Sequence, residues 1–196
     1  MQRPELTFPD DVAQYVSDAY ARHDSILEYG SGGSTVLASE MDGKHVVSVE
    51  SDQAWADNLN TYLSQSDAVR SRPRVEHIDI GETGAWGRPV NRSKQHFFPW
   101  YALAPWMMPR ADKARYGLVL VDGRFRASCF LASMAFGQGA LELIFDDYTE
   151  RPTYHFIEEY LRPEQIVGRA AVFIRNPDLD WGDIALRHKD AFYDVN

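Results

Sequence analysis

Between residues 26 and 50 the chain reads as a short strand, a glycine turn, a helix start and a second strand ending in a carboxylate, an order that few folds accommodate. The first strand and its turn are Ile26-Leu27-Glu28-Tyr29-Gly30-Ser31-Gly32-Gly33-Ser34-Thr35, and the second strand is Val46-Val47-Ser48-Val49-Glu50. Glycines let the backbone bend sharply and approach a ligand with no Cβ in the way, and the amides opening the next helix face whatever sits there. Glu50 stands twenty residues after Gly30, where a second parallel strand ends beside the first, so its carboxylate is placed to accept hydrogen bonds from a ribose diol. Gly30, Ser31, Gly32, Gly33 and Ser34, with Glu50 and Ser51, are therefore the candidate residues of a nucleotide-type cofactor site.

At 196 residues and 44% hydrophobic, the chain suffices for one domain with a substantial core and is too short for two. Its mean hydropathy is −0.41, no stretch approaches the ~20 apolar residues of a membrane span, and the first residues lack the apolar core of a signal peptide. The expectation is a cytoplasmic protein with no membrane partner. The single Cys129 rules out an internal disulfide and, within an apolar run, reads as core packing. A net charge of −9 speaks against nucleic acid as a partner, because phosphate contacts need Lys and Arg. Residues 82–115 run the other way, with Arg88, Arg92, Lys94, Arg110, Lys113 and Arg115 against Glu82 and Asp112.

Strand and helix patterns alternate along the chain. Val12, Tyr15, Val16, Ala19 and Tyr20 mark an opening amphipathic helix; further helices are expected over 34–41, 52–67, 127–137 and 153–161. Strands are expected over 45–50, 74–80, 116–121 and 141–145, with two antiparallel strands meeting near Gly168, while 183–194 carries no decided element. Such alternation implies an α/β fold, a mostly parallel seven-stranded sheet with helices on both faces. The irregular stretch, 81–116, holds three of the five tryptophans and four prolines, which leave room for only a helical turn or two near Tyr101. An aromatic, basic insertion at the ligand edge serves either as a substrate wall or as the interface of a homo-oligomer.

A dinucleotide fingerprint wants a small residue where Thr35 stands, and an acid, Glu28, lies two residues before the first glycine. At these residues the chain resembles the class I S-adenosylmethionine-dependent methyltransferases, whose first motif is an acid followed by closely spaced glycines. It is most similar to small bacterial methyltransferase-like proteins with E-Y-G-S-G-G-S-T and V-D-G-R-F-R segments. The resemblance implies a Rossmann-like fold and S-adenosylmethionine as cofactor, with Glu28 near its methionine end, Glu50 on the ribose, and Asp79-Ile80 at the end of the third strand beside the adenine. Ser34 stands where that family's third glycine is usual.

Methyl transfer is an in-line displacement, so the protein has to align two reactants and, for an oxygen acceptor, help remove a proton. Asp122, Arg124 and Arg126 follow the fourth strand, and Asp146 and Asp147 the fifth. Three carboxylates at neighbouring strand ends are able to share a divalent cation. This resembles the catechol-type O-methyltransferases, which would make Asp122, Asp146 and Asp147 ligands of Mg2+ beside the acceptor hydroxyl. The alternative is a metal-free network in which Arg124 neutralises Asp146 or Asp147, or clamps a carboxylate or phosphate of the acceptor. His155 is the candidate base; the other histidines show no metal-ligand spacing. The expected activity is methyl transfer to a small hydroxylated or anionic acceptor. A non-catalytic cofactor-binding or assembly module and an NAD-linked oxidoreductase are the competing readings, and hydrolase, NTPase and thiol-redox signatures are absent.

Overall fold

The computed structural model describes residues 2–107 and 116–196; Arg110, Asp112, Lys113 and Arg115 of the basic segment lie outside the described residues. The order is α1 (Asp10–Arg22), β1 (Ser25–Tyr29), α2 (Gly33–Ser39), β2 (His45–Glu50), α3 (Gln53–Gln65), β3 (Arg74–His77), α4 (Phe98–Met107), β4 (Leu118–Val121), α5 (Arg126–Phe136), β5 (Glu142–Phe145), β6 (Gln165–Val167), β7 (Ala170–Ile174) and α6 (Trp181–Arg187), with short 3-10 turns between. The seven strands form one sheet in the order β3-β2-β1-β4-β5-β7-β6. Neighbours from β3 to β5 run parallel, and β7 is antiparallel to both β5 and β6.

Register sets the functional edge. Tyr29 pairs with Val49 on one side and Val121 on the other, and Val121 pairs with Phe145. The next residue of each strand therefore lies at one level, which lines up Glu50, Gly30, Asp122 and Asp146 along the carboxyl edge. Strand order reverses between β1 and β4, the place where open α/β sheets leave a crevice.

Alternate strand residues enter different apolar clusters, as the two-residue period of a strand requires. Leu27, Tyr29, Val119, Val121, Leu143 and Phe145 pack with Phe98, Tyr101, Phe130 and Trp181. Ile26, Leu118, Leu120 and Ile144 pack with Val12, Val16 and Tyr20 of α1 and Ala38 of α2.

Three elements differ from expectation for local reasons. The third strand stops at His77, because the Asp79 carboxylate accepts the Gly81 N–H and turns the chain. The 153–161 segment is a 3-10 helix, Pro152–Glu159. In the insertion, α4 extends to ten residues: Pro99 falls in its first turn, where no intrahelical N–H is needed, and Tyr29 fastens it by donating to Ala102 O at 2.6 Å and accepting from Trp106 Nε1 at 2.8 Å. Among the described residues no helix is long and apolar enough to cross a membrane.

The turns after β1 and β4 touch through their backbones. A Cβ on Gly30, whose φ is +96°, would lie 2.8 Å from Gly123 N, and one on Gly123 would lie 2.3 Å from the Tyr101 hydroxyl. Gly30→Ala is expected to cost about 2–4 kcal/mol, the sum of backbone strain and overpacking. Gly43→Ala, at φ +73° with nothing within 4 Å, should cost only about 1 kcal/mol, since strain alone remains. Urea unfolding of both variants checks the difference.

Candidate functional site

The first half of the site is built on the end of β2. Glu50 is buried, and its carboxylate accepts from Ser31 N at 3.3 Å, Ser31 Oγ at 2.9 Å, Ser51 N at 2.7 Å and Asp52 N at 3.0 Å. The carboxylate thereby stitches the glycine turn to the start of α3, whose N-cap Asp52 accepts from Trp55 N. The Trp55 indole reaches back to donate to Ser31 O at 2.8 Å. Beside this knot lies a cleft of about 530 Å³ lined by Ser51, Asp52, Asp79, Thr83 and Lys94 among others. That volume is within the range of small-ligand sites, about 300–1,000 Å³.

Glu28 lies beneath the turn. It has no exposed surface; Tyr20 donates to one oxygen and Thr35 Oγ1 to the other at 2.6 Å. Burial raises its pKa, and the hydroxyls of Thr35 and Tyr20 act against that. Glu28 therefore holds α1 and α2 to β1 from below. Thr35 also accepts from Gly32 N at 3.0 Å, so the residue at the position of a dinucleotide glycine braces the turn instead. Gly33 lies under the crossing N-terminal segment, where its Cβ would meet Glu5 O, and Ser34 is buried. Asp79 is exposed and paired with Lys94, which with the Gly81 N–H lowers its pKa; Ile80 is buried in the core.

The insertion reaches over Glu50. Ser51 Oγ donates to Gly87 O at 2.8 Å, and a Cβ on Gly87 would lie 3.2 Å from Glu50 Oε1. Trp86 beside it has φ 60° and is 82% exposed. Arg88 donates to Asn196 Oδ1 at 3.3 Å and Arg92 to Tyr193 O at 3.2 Å, so the last residues of the chain fasten this loop.

The second half of the site joins the ends of β4 and β5. Asp146 is fully buried and takes both Nε and Nη2 of Arg169, at 2.9 and 2.6 Å. Asp147 accepts from Arg126 at 2.9 Å and Arg151 at 2.7 Å and forms an ion pair with Arg169 at 3.0 Å. Arg126, itself buried, also meets Asp122 at 3.2 Å and donates to Gly123 O and Asp146 O. Asp147 and Phe125 both sit in the left-handed region, at φ 57° and 53°. Strain of this kind persists only where surrounding bonds hold it.

These contacts give the magnesium reading no support. Every one of the three carboxylates faces a guanidinium, and among the described residues no group of three or more potential ligands is placed to hold a metal. The neutralising residues are Arg126, Arg151 and Arg169, whereas Arg124 joins no ion pair. His155 turns its Nε2 to Tyr148 O at 3.1 Å and stacks on the Tyr148 ring. Sequence reasoning missed Trp55, Gly87, Arg151 and Arg169. Only tertiary contact brings them to the edge.

No protein-family profile and no curated protein matches the chain. Solved structures do. A methyltransferase-like protein from Silicibacter pomeroyi is 40% identical, with a TM-score of 0.89 over 99% of this chain and 100% of that one. The O-methyltransferase from Bacillus cereus in complex with SAH is 14% identical, with a TM-score of 0.53 over 95% of this chain and 70% of that one. The RNA methyltransferase from Salinibacter ruber in complex with S-adenosyl-L-homocysteine is 13% identical, with a TM-score of 0.54 over 89% and 96%. The last two share the fold alone with this chain.

Asp122 generates a pH prediction. Its pKa is pushed up to about 8, chiefly by burial, with Arg126 opposing and the Asp146 and Asp147 carboxylates adding to the rise. The folded chain then keeps a proton that the unfolded chain releases near 3.8, so stability falls as pH rises between those values. Asp122→Asn should remove this part of the slope, and its stability relative to the parent should improve steadily from pH 5 to pH 8 in urea titrations. Parallel curves would mean that Asp122 is ionised in the fold.

Proposed function

The chain belongs to the class I methyltransferase superfamily, and on that premise we propose that it transfers a methyl group from S-adenosylmethionine to a small hydroxylated or anionic acceptor in the cytoplasm. The observation that carries this reading is the single register level that sets Glu50, the Gly30 turn, Asp122 and Asp146 side by side at the strand reversal. A doubly covered sheet, supported by its two separate apolar clusters, leaves that edge as the open side.

The residues present fit the cofactor. Glu50 and Ser31 would hold the ribose hydroxyls, the cleft beside Asp79 would take the adenine, and the turn at 30–34 would lie along the methionine part. When bound, the cofactor supplies an electrophilic methyl on a sulfonium. Glu50 is kept in one orientation by four donors before any ligand arrives, which lowers the ordering cost of binding. Asp122 is the group to take a proton from an acceptor hydroxyl: its raised pKa brings it near neutral pH, where a base is most effective. His155 Nε2 is engaged with a backbone carbonyl. Loop 84–88 excludes water from the Glu50 side.

Two further observations bear on partners. Among the described basic residues of the insertion, Arg88, Arg92 and Lys94 are bonded within the chain, which supports a small-molecule acceptor over nucleic acid. Trp86, Phe97, Trp100 and Met107 are exposed on the same insertion, which supports a homo-oligomer through this face. The second reading, a cofactor-binding module without turnover, is favoured by the saturation of Asp146 and Asp147 with arginines.

Thermal unfolding with S-adenosylmethionine, S-adenosylhomocysteine and NAD, each with and without Mg2+, tests the proposal. The first two should stabilise by about 2.7 kcal/mol at a hundred times Kd. NAD should not shift the transition, and Mg2+ should add nothing. Glu50→Gln should weaken the cofactor shift at least tenfold in apparent affinity, measured by calorimetric titration. No shift with either sulfur compound in well-folded protein sinks the methyltransferase reading. Binding without turnover across a panel of acceptors, with Asp122→Asn equal to the parent, selects the binding module.

A further inference from the structure

Four guanidinium groups meet three carboxylates around the ends of β4 and β5, and the pairing leaves one cation over. Arg126 is held by Asp122 and Asp147, Arg151 by Asp147, and Arg169 by Asp146 and Asp147. Among the described residues Arg124 makes no side-chain hydrogen bond or ion pair, and its Nε is buried without a partner. The charged groups acting on it are Arg126 and Arg151, both cations, beside the phenols of Tyr101 and Tyr154; burial is the largest influence and lowers its pKa. Arg124 is half-buried, and burying its Nε beside two other guanidiniums costs free energy that no partner among the described residues returns. Its backbone position is fixed all the same: Arg124 follows Gly123, which packs on Gly30, and its carbonyl accepts from Cys129 Sγ at the start of α5. The residue follows β4 next to the strand reversal, and an oxyanion there would balance a charge that no carboxylate among the described residues pairs.

We propose that Arg124 is the anchor of an oxyanion subsite, and that the acceptor is a small molecule carrying a carboxylate or phosphate group which Arg124 grips, with the Arg151 cation near it. This rests on the methyl-transfer reading for the word acceptor; the oxyanion subsite itself rests on the unpaired guanidinium. Forked N–H donors suit a planar carboxylate or a phosphate, and a lysine would match neither as well.

The experiment measures thermal stability and calorimetric binding of the full chain at constant ionic strength, with and without S-adenosylhomocysteine. The probes are benzoate, phenyl phosphate and neutral benzyl alcohol. Benzoate or phenyl phosphate should raise the melting temperature of the parent protein while benzyl alcohol does not, and the larger shift identifies the headgroup. Arg124→Gln should lose at least tenfold in affinity for that anion, and Arg124→Lys should retain part of it. Without anion, Arg124→Gln should melt no lower than the parent, because a half-buried cation with no ion-pair partner among the described residues has been removed, and its affinity for S-adenosylhomocysteine should be unchanged. The proposal is overturned if neither anion shifts the parent, or if anion shifts are equal in parent and Arg124→Gln. A lower melting temperature for Arg124→Gln in the absence of anion also overturns it, since that marks a structural arginine. An Arg124-dependent anion shift with no response to S-adenosylhomocysteine supports the subsite and removes the methyl-transfer reading.

Discussion

The turns after β1 and β4 lie backbone against backbone at Gly30 and Gly123, and the rest of the site is spaced from that contact. With side chains excluded at both positions, the ends of β1 and β4 close to hydrogen-bonding distance, Asp122 N–H donating to Tyr29 O at 2.9 Å, while Gly30 N–H donates to Val49 O of β2 at 2.9 Å. Glu50 falls on one side of this seam and Asp122 on the other. The proposed cofactor and acceptor sides thereby face each other across a seam of bare backbone. Tyr101 of α4 closes the seam from below, its hydroxyl placed where any Gly123 side chain would begin.

On the acceptor side, charge is organised by burial. Asp146 is wholly removed from water, an arrangement that is favourable only with a bidentate partner, which Arg169 supplies. Asp147, in a left-handed conformation, serves three guanidiniums at once. Asp122, with a single longer contact to Arg126, is the acid of the three with the fewest guanidinium contacts, and burial raises its pKa. One cluster therefore separates a structural pair from a group free to exchange a proton.

The opposite rim is made by chain segments far apart in sequence. Loop 84–88 covers Glu50 through the Ser51 to Gly87 bond, and residues 193 and 196 hold Arg92 and Arg88. The Asn196 carbonyl accepts from Arg126 N at the start of α5, which links this rim to the acidic cluster. The Glu50 side and the acidic cluster therefore share one fastening.

Much of this was readable from the chain. The spacing from Gly30 to Glu50, the acids after each apolar strand and the alternation of elements determine an α/β sheet with its ligand edge at the strand ends, because those signals are local and periodic. The seven strands, and the hairpin at Gly168, lie where the pattern put them. The tertiary structure decided what each acid faces. Glu28 looks in sequence like a ligand for an ammonium group, but its side chain points into the α1 and α2 layer and meets Tyr20 and Thr35. Asp146 and Asp147 look like metal ligands until Arg151 and Arg169, which reach them from after β5 and from the turn before β7, take their lone pairs. A carboxylate's role is set by the partner that reaches it first, and that partner comes from a distant part of the chain, beyond what spacing and period encode.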